Sequence, residues 1–214
     1  MTLPQRTFKV STQPVSEPLS LADLKSALRV TVHDFDIELK RLLRAARQQL
    51  EKDTQRRFMS QTVVMYLDDW FDYDGRYGRY DDTISSHDHS VYDSIQDYRV
   101  VEIREAPVTS IDSVEYYDSD GNLQTLATTD YFADTVSTPA RVVLKDGYHW
   151  PNVESGRPNP IQITFTAGYS NAATVPAEAN VAIIEWVRSK RGCDDAAAKY
   201  ESLVSSLQWT AHHR

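Results

Sequence analysis

The spacing of apolar residues changes period twice along this chain, and that order restricts the fold it can adopt. Apolar residues recur at three- and four-residue steps up to about residue 57, and a period of two begins at Gln61. Helical spacing returns after Pro176, which suits the first turn of a helix. The pattern predicts an α+β fold with an N-terminal helical pair, an antiparallel β-sheet with a hairpin insert, a C-terminal helix and extended terminal arms.

Three helices are predicted, over 21–29, 34–57 and 176–191, with strands between residues 61 and 169. Ser20 followed by Asp23 is a variant of the capping box and begins the first helix. The third helix is expected to pack its apolar stripe on that of the long second helix. The stripes are Phe35, Leu39, Leu42, Leu43, Ala46 and Leu50 on the second helix, and Ala179, Ile183, Trp186 and Val187 on the third.

The long helix also carries a basic face, for which two interpretations stay open. A charged helix face is most often simply solvated. The more specific interpretation is a docking face for an acidic protein surface or for nearby DNA. The residues concerned are Lys40, Arg41, Arg44, Arg47, Lys52, Arg56 and Arg57.

The two ends of the chain are predicted to extend from a main domain over 19–192. Residues 1–18 contain Pro4, Pro14 and Pro18 and are typical of an extended arm. Residues 193–214 form a tail with a second amphipathic stripe. We expect both ends to lie on partner proteins, the tail as a helix in a groove, with packing of the tail on its own domain as the alternative. The predicted tail contacts are Tyr200, Leu203, Leu207 and Trp209.

Most of the negative charge is concentrated in one insert, over 68–98. The stretch 67–98 holds nine Asp against two Arg, which is seven of the eight net negative charges of the chain. Such a density of like charge cannot be buried unpaired. The insert is a solvated loop, the wall of a channel, or a docking segment, and its aromatic residues favour docking. The predicted docking residues are Trp70, Phe71, Tyr73, Tyr77 and Tyr80; the predicted channel-facing acids are Asp72, Asp74, Asp81 and Asp82.

Sequence motifs for catalysis and for cofactor binding are missing from the chain. It has neither a phosphate-binding glycine loop nor a G-x-S-x-G motif. Asp118-x-Asp120-Gly121-Asn122 fails the spacing of a calcium loop and predicts a β-hairpin turn. His87-Asp88-His89 offers adjacent groups that rarely give good ligand geometry. We therefore predict a protein that is not an enzyme and has no cofactor and no resident metal.

The overall composition restricts the partners and the compartment. A pI near 5.2 argues against a protein that neutralises DNA phosphates. Cys193 is the single cysteine, which excludes an internal disulfide and fits a reducing cytosol. No secretory signal and no apolar run of transmembrane length is present, so we expect a soluble product assembled inside the cell, with no membrane partner.

Eight short segments of this chain, taken in their order along the sequence, resemble segments of the head–tail connector, or head-completion adaptor, family of long-tailed bacteriophages. The similarity extends over about residues 18–192. Ile103-Arg104-Glu105 replaces the family's Leu-Pro-Arg, and Thr54-Gln55 replaces a frequent Thr-Gly. The acidic insert has no counterpart. The matching segments are ADLKSALR (22–29), LLRAARQQLEKDT (42–54), APV (106–108), VEYYDSDG (114–121), DY (130–131), WP (150–151), ITFTAGY (163–169) and VPAEANVAI (175–183).

The resemblance implies a structural virion protein at the head–tail interface, assembled in the host cytoplasm. It implies a ring, usually of twelve copies, that binds the portal protein beneath the capsid and extends the DNA channel. The ring would offer a docking platform to a tail-completion or stopper protein, with genomic DNA passing through without sequence-specific binding.

The residues alone leave two other function classes open. One is a binding module that uses the Asp/Tyr-rich loop 68–98 to recognise a sugar or a basic protein. The other is a hydrolase that uses carboxylates of the insert. Oligomeric state separates the ring from both alternatives.

Overall fold

The computed structural model describes residues 6–70, 99–193 and 195–208, and the chain divides into two compact units. The sheet unit comprises Met1–Ser11, Thr62–Arg104 and Val108–Thr166. The helical unit comprises Thr12–Gln61, Glu105–Pro107 and Ala167–Arg214. Helices and antiparallel strands are both present, which confirms the predicted α+β fold.

The helical unit contains four α-helices within the described residues. Their bounds are α1 Leu21–Leu28, α2 Asp36–Thr54, α3 Ala177–Lys190 and α4 Ala196–Leu207. The Ser20 hydroxyl accepts a hydrogen bond from the Asp23 amide at 3.1 Å and caps α1. Gln55 adopts a left-handed conformation with φ 54°, so α2 ends before the predicted residue 57.

One apolar core joins the helices of this unit. Ile183 is fully buried in the cluster that also holds Leu39, Leu43 and Ala46, so α3 packs on α2 as the periodicity predicts. Trp186 lies at the edge of this cluster, only partly buried, with the Lys190 ammonium 5.1 Å from the centre of its ring. The core of the unit is therefore built mainly from aliphatic side chains.

The strands are β1 Thr7–Thr12, β2 Gln61–Leu67, β3 Val100–Ile103, β4 Val108–Tyr117, β5 Leu123–Thr125, β6 Tyr131–Asp134, β7 Ala140–Leu144 and β8 Ile161–Ala167. The sheet unit is built on two sheets, with strand orders β1-β2-β8-β4-β5 and β3-β7-β6. In β2 and β8 every second side chain is buried, which is the alternation that the period of two predicts. In the smaller sheet β7 pairs antiparallel with both β3 and β6.

The turn between β4 and β5 is the hairpin that the sequence predicts. The Asp118 carboxylate accepts hydrogen bonds from the amides of Asp120 at 3.0 Å and Asn122 at 2.9 Å. These amide bonds hold the pKa of Asp118 below its usual value. Gly121 has a φ of 80°, which suits a residue without a Cβ. The carboxylate that resembled a calcium ligand therefore organises a turn.

The N-terminal arm differs from the prediction. Thr7–Thr12 form β1, which pairs with β2 at the edge of the larger sheet. The Phe8 ring meets the Phe165 ring edge to face at 6.5 Å, and the Ser11 hydroxyl donates to the Thr62 carbonyl at 3.2 Å. The expectation that the arm lies on a partner is therefore wrong for these residues, because their own chain supplies the pairing strand.

Candidate interaction surfaces

Trp70, the first of the predicted docking aromatics, is a buried side chain. Its ring stacks on Trp150 at 4.4 Å and 9°, and it meets Tyr116 edge to face at 6.1 Å. Its indole N–H donates to the Pro151 carbonyl at 2.9 Å, and only 5% of the residue is exposed. The predicted role as an exposed anchor for a partner is therefore wrong for Trp70. It anchors the chain at the point where residues 71–98 begin.

A shallow groove of about 490 Å³ lies beside this tryptophan stack. Near its rim the Asp68 carboxylate accepts a hydrogen bond from the Asn159 amide at 2.9 Å, which holds the 147–160 loop against the end of β2. The groove is lined by Asp69, Trp70, Ser119, His149, Trp150, Pro151, Asn152 and Val153.

The other insert residues singled out by the sequence lie outside the described residues, and so does one tail residue. Their roles stay predictions. They are Phe71, Tyr73, Tyr77 and Tyr80 among the docking residues, Asp72, Asp74, Asp81 and Asp82 among the channel acids, His87-Asp88-His89, and Trp209.

The tail helix α4 packs on its own chain. Tyr200 and Leu207 belong to the core of the helical unit, with 8% and 3% of each residue exposed. The Tyr200 hydroxyl donates to the Asp53 carboxylate of α2 at 2.7 Å. The pKa of Tyr200 is raised, mainly by burial and to a smaller extent by this hydrogen bond. Leu203 is half-buried against the same core. The groove that the tail occupies is therefore in its own helical unit, and the predicted partner contact is wrong for Tyr200 and Leu207.

The basic residues of α2 divide into a buried set and an exposed set. The Arg47 side chain is only 2% exposed and donates to two carboxylates, Glu17 at 2.7 Å and Glu51 at 2.8 Å. Glu51 also accepts from the Phe58 amide at 3.1 Å and from the Gln61 side chain at 2.9 Å. The sequence predicts Arg47 on a solvated or docking face of α2, and this prediction is wrong because the side chain is buried with its two carboxylate partners.

The ion network extends from Glu51 to a second arginine. Arg57 lies 3.7 Å from Glu51 and donates two hydrogen bonds of 2.8 Å to Glu105. Burial raises the pKa of Glu105, although the attraction of Arg57 opposes that rise. The Arg57 amide donates to the Ala106 carbonyl at 2.7 Å beside this pair. The network therefore joins α2 to residues 105–107.

The exposed set forms a stripe along α2, called here the basic stripe: Lys40, Arg41, Arg44 and Lys52. The Arg44 side chain is 71% exposed, and its nearest carboxylate is Glu17 at 3.7 Å. Within the described ranges the other three have neither an ion-pair partner nor a side-chain hydrogen bond. Three of the four side chains of the stripe are therefore left without an ion pair among the described residues.

Neither a metal-binding cluster nor a membrane-spanning helix is found among the described residues. Over the described part of the chain, no group of three or more His, Cys, Asp or Glu side chains is arranged to hold a metal ion. No helix there combines the length and the apolar character that crossing a membrane requires.

Comparison with known proteins finds similarity in structure alone. No family description and no curated protein matches the chain. A chain from the neck of an empty GTA particle, computed with C6 symmetry, aligns with a TM-score of 0.69 at 17% identity over 97% of both chains. A chain from the virion of a native gene transfer agent (GTA) particle aligns with a TM-score of 0.66 at 18% identity, over 96% of this chain and 97% of that one.

A third match comes from the neck of a native GTA particle computed with C12 symmetry. Its TM-score is 0.60 at 16% identity, over 94% of this chain and 97% of that chain. At such identities the similarity bears on the path of the backbone, and it covers both the sheet unit and the helical unit. This chain therefore has the fold of chains found in the neck and virion of GTA particles.

Proposed function

We propose that this chain is a structural protein of a phage-like particle, located in the neck where head and tail join. The observation that carries this proposal is the fold match over nearly the whole length of both chains to a chain of a GTA neck. The chains of similar fold are components of GTA necks and virions. The proposed role is therefore structural and not enzymatic.

Within the neck, the chain acts as a head–tail connector, or adaptor, that forms a ring of twelve copies. The C6 and C12 symmetries of the similar neck structures support a ring. The sequence segments from 22–29 to 175–183 resemble the adaptor family and support the finer role. In that role the ring binds the portal, extends the DNA channel and receives a tail-completion or stopper protein.

The packing of the chain suits such a subunit. β1 is paired within its own sheet and α4 is packed within its own helical unit, so residues 7–12 and 196–207 are ordered without a partner. A subunit already ordered in this way loses less conformational entropy on assembly.

Locating the chain in assembled particles tests the proposal. Particles would be purified from cells that produce them with an epitope-tagged copy of the full chain, and the neck would be reconstructed by electron microscopy with antibody labelling. We expect the label at the head–tail junction in a ring with twelve-fold symmetry. A chain that is absent from particles, or that is distributed over the head, contradicts the proposal.

A further inference from the structure

Within the described residues, the basic stripe forms few of the ion pairs that usually balance charge on a helix surface. Exposed helices are usually laced by acidic residues four positions from basic ones. Asp36 stands four positions before Lys40, but its carboxylate is bonded to Lys25 at 2.6 Å and to His33 at 3.1 Å. Glu38 stands three positions before Arg41, and Lys52 stands four positions from Gln48. Arg44 shares Glu17 with the closer Arg47. In the described part of the chain, Lys40, Arg41 and Lys52 therefore form no ion pair, and their charge is available to a partner.

The same chain contains a segment of opposite charge and matching chemistry. Residues 71–98 hold seven Asp against two Arg, together with Phe71 and five Tyr. Carboxylates form the strongest hydrogen bonds with guanidinium groups, and tyrosine rings accept arginine and lysine on their faces. The charge of this segment and that of the stripe are therefore complementary.

The two ends of that segment are fixed on the sheet unit. Trp70 is held by its stack on Trp150 before the segment, and Val100 pairs with Val143 at the start of β3 after it. Half the length of residues 71–98 reaches at most roughly 45 Å from such an anchor when fully extended. That span exceeds the width of a small domain, so a neighbouring molecule is within reach.

We propose that the basic stripe of one copy binds the acidic segment 71–98 of the adjacent copy in the ring. The inference rests on the proposed function, since it supposes adjacent copies. Closed rings are built from heterologous contacts, in which two different surfaces of each copy meet. The stripe and the segment form such a pair, and each copy carries both. Docking by the segment is thereby assigned to the neighbouring copy and not to a tail component.

DNA is the other polyanion that a basic stripe could meet, and it fits less well. Four basic side chains on one helix of a chain with net charge −8 are far from the basic surface that DNA-binding domains present. The acidic segment would also compete with DNA for the same side chains. An acidic protein segment is therefore the better occupant.

Zero-length cross-linking of isotope-mixed protein tests the contact directly. Full-length chains grown in ¹⁴N and ¹⁵N media would be mixed before assembly and treated with a carbodiimide, which joins lysine amines to carboxylates. We expect peptides that link Lys40 or Lys52 to aspartates of 71–98 and that combine one light and one heavy half. Cross-linked peptide pairs whose two halves always carry the same isotope would assign the contact to a single copy and overturn the proposal. The absence of such cross-links would overturn it as well.

Charge-reversal variants provide a second test of the proposed contact. Arg41→Glu with Lys52→Glu should lower incorporation into necks by more than about tenfold, since like charges facing each other at an interface cost several kcal/mol. Asp72→Arg with Asp81→Arg should have the same effect. A chain with all four changes should regain incorporation, because opposite charges meet again. Reversals that leave incorporation unchanged, or a combined variant without recovery, count against the contact.

Controls separate this contact from folding, from DNA binding and from the proposed function. Lys9→Glu with Arg29→Glu changes the net charge equally at exposed sites outside α2 and should incorporate normally. All variants should keep the urea unfolding midpoint of the wild type. Stripe variants that join the neck but lose packaged DNA assign the stripe to DNA and overturn the inference. If the wild type is absent from necks, the proposed function fails, while mixed-isotope links in concentrated purified protein still decide the contact.

Discussion

Two arginines three positions apart on α2 have the same partner and different roles. Arg44 and Arg47 both approach Glu17, at 3.7 Å and 2.7 Å. The Arg44 side chain is 71% exposed, whereas that of Arg47 is 2% exposed and also binds Glu51. Water competes for the contact of Arg44 with Glu17, whereas burial of Arg47 largely excludes water from its contacts. The comparison shows that burial, more than the presence of a counter-ion, decides whether a charge stabilises the fold or is available to a partner.

The largest expected effect in this comparison is the loss of Arg47. Arg47→Met keeps much of the side-chain volume but leaves Glu17 and Glu51 without their closest cation. Leaving buried charge uncompensated costs about 3–5 kcal/mol. Urea unfolding followed by tryptophan fluorescence measures the change. A loss below about 1 kcal/mol would mean that water reaches the pair and that the two faces of α2 do not differ as described.

An intermediate effect is expected where α4 joins the buried side of α2. Tyr200→Phe removes the hydroxyl that donates to Asp53 at 2.7 Å and leaves the ring in place. Hydrogen bonds to charged groups contribute about 1.5–3 kcal/mol. We expect a loss in this range by urea unfolding, together with faster amide hydrogen exchange in α4. Unchanged exchange in α4 would show that its apolar contacts alone hold the tail.

A smaller effect that depends on pH is expected at Glu105. Burial raises its pKa above the ordinary value of 4.5, so the folded state holds this proton more tightly than the unfolded state. The contribution to the unfolding free energy is therefore fully present below about pH 4.5 and is lost as pH rises through the folded pKa. Glu105→Gln cannot titrate and provides the reference.

Unfolding free energies of the wild type and of Glu105→Gln would be measured between pH 4 and pH 8. Subtracting the variant from the wild type should leave a curve that falls as pH rises. A curve that rises with pH would mean that the attraction of Arg57 outweighs burial, and that the buried network gains stability from its full charge.

The smallest effect on stability is expected on the exposed side of α2. Arg44→Ala should change the unfolding free energy by less than about 0.5 kcal/mol, because exposed ion pairs contribute little. The measurement is the same urea titration used for Arg47→Met, so the two arginines are compared directly. A loss of 2 kcal/mol or more would place Arg44 in the buried network and remove it from the basic stripe.

Much of the secondary structure follows from local sequence. The Ser20 cap of α1 and the Asp118–Gly121 turn each involve residues a few positions apart, so their hydrogen bonds can be predicted from spacing. The alternation in β2 and β8 and the apolar stripe of α2 express the geometry of strands and helices. Even here the left-handed Gln55 ended α2 earlier than periodicity predicted.

The candidate interaction surfaces could be predicted only in part. The acidic insert and the basic helix face are visible as charge in the sequence, and both enter the proposed contact. Which members of each set are exposed is not visible there. Trp70 belongs to the insert by sequence, but it is buried by Trp150 and Pro151, about eighty positions away. Arg47 belongs to the basic face by periodicity, but it is buried with Glu17.

By itself, then, the sequence determined the fold class, the order of helices and strands, the hairpin turn and the concentration of negative charge in one segment. These depend on local geometry and on composition. The tertiary structure alone decided that residues 7–12 form an edge strand, that α4 packs on α2, and which arginines of α2 reach solvent. The reason is that burial and ion pairing depend on groups distant in sequence, and only the folded chain brings these groups together.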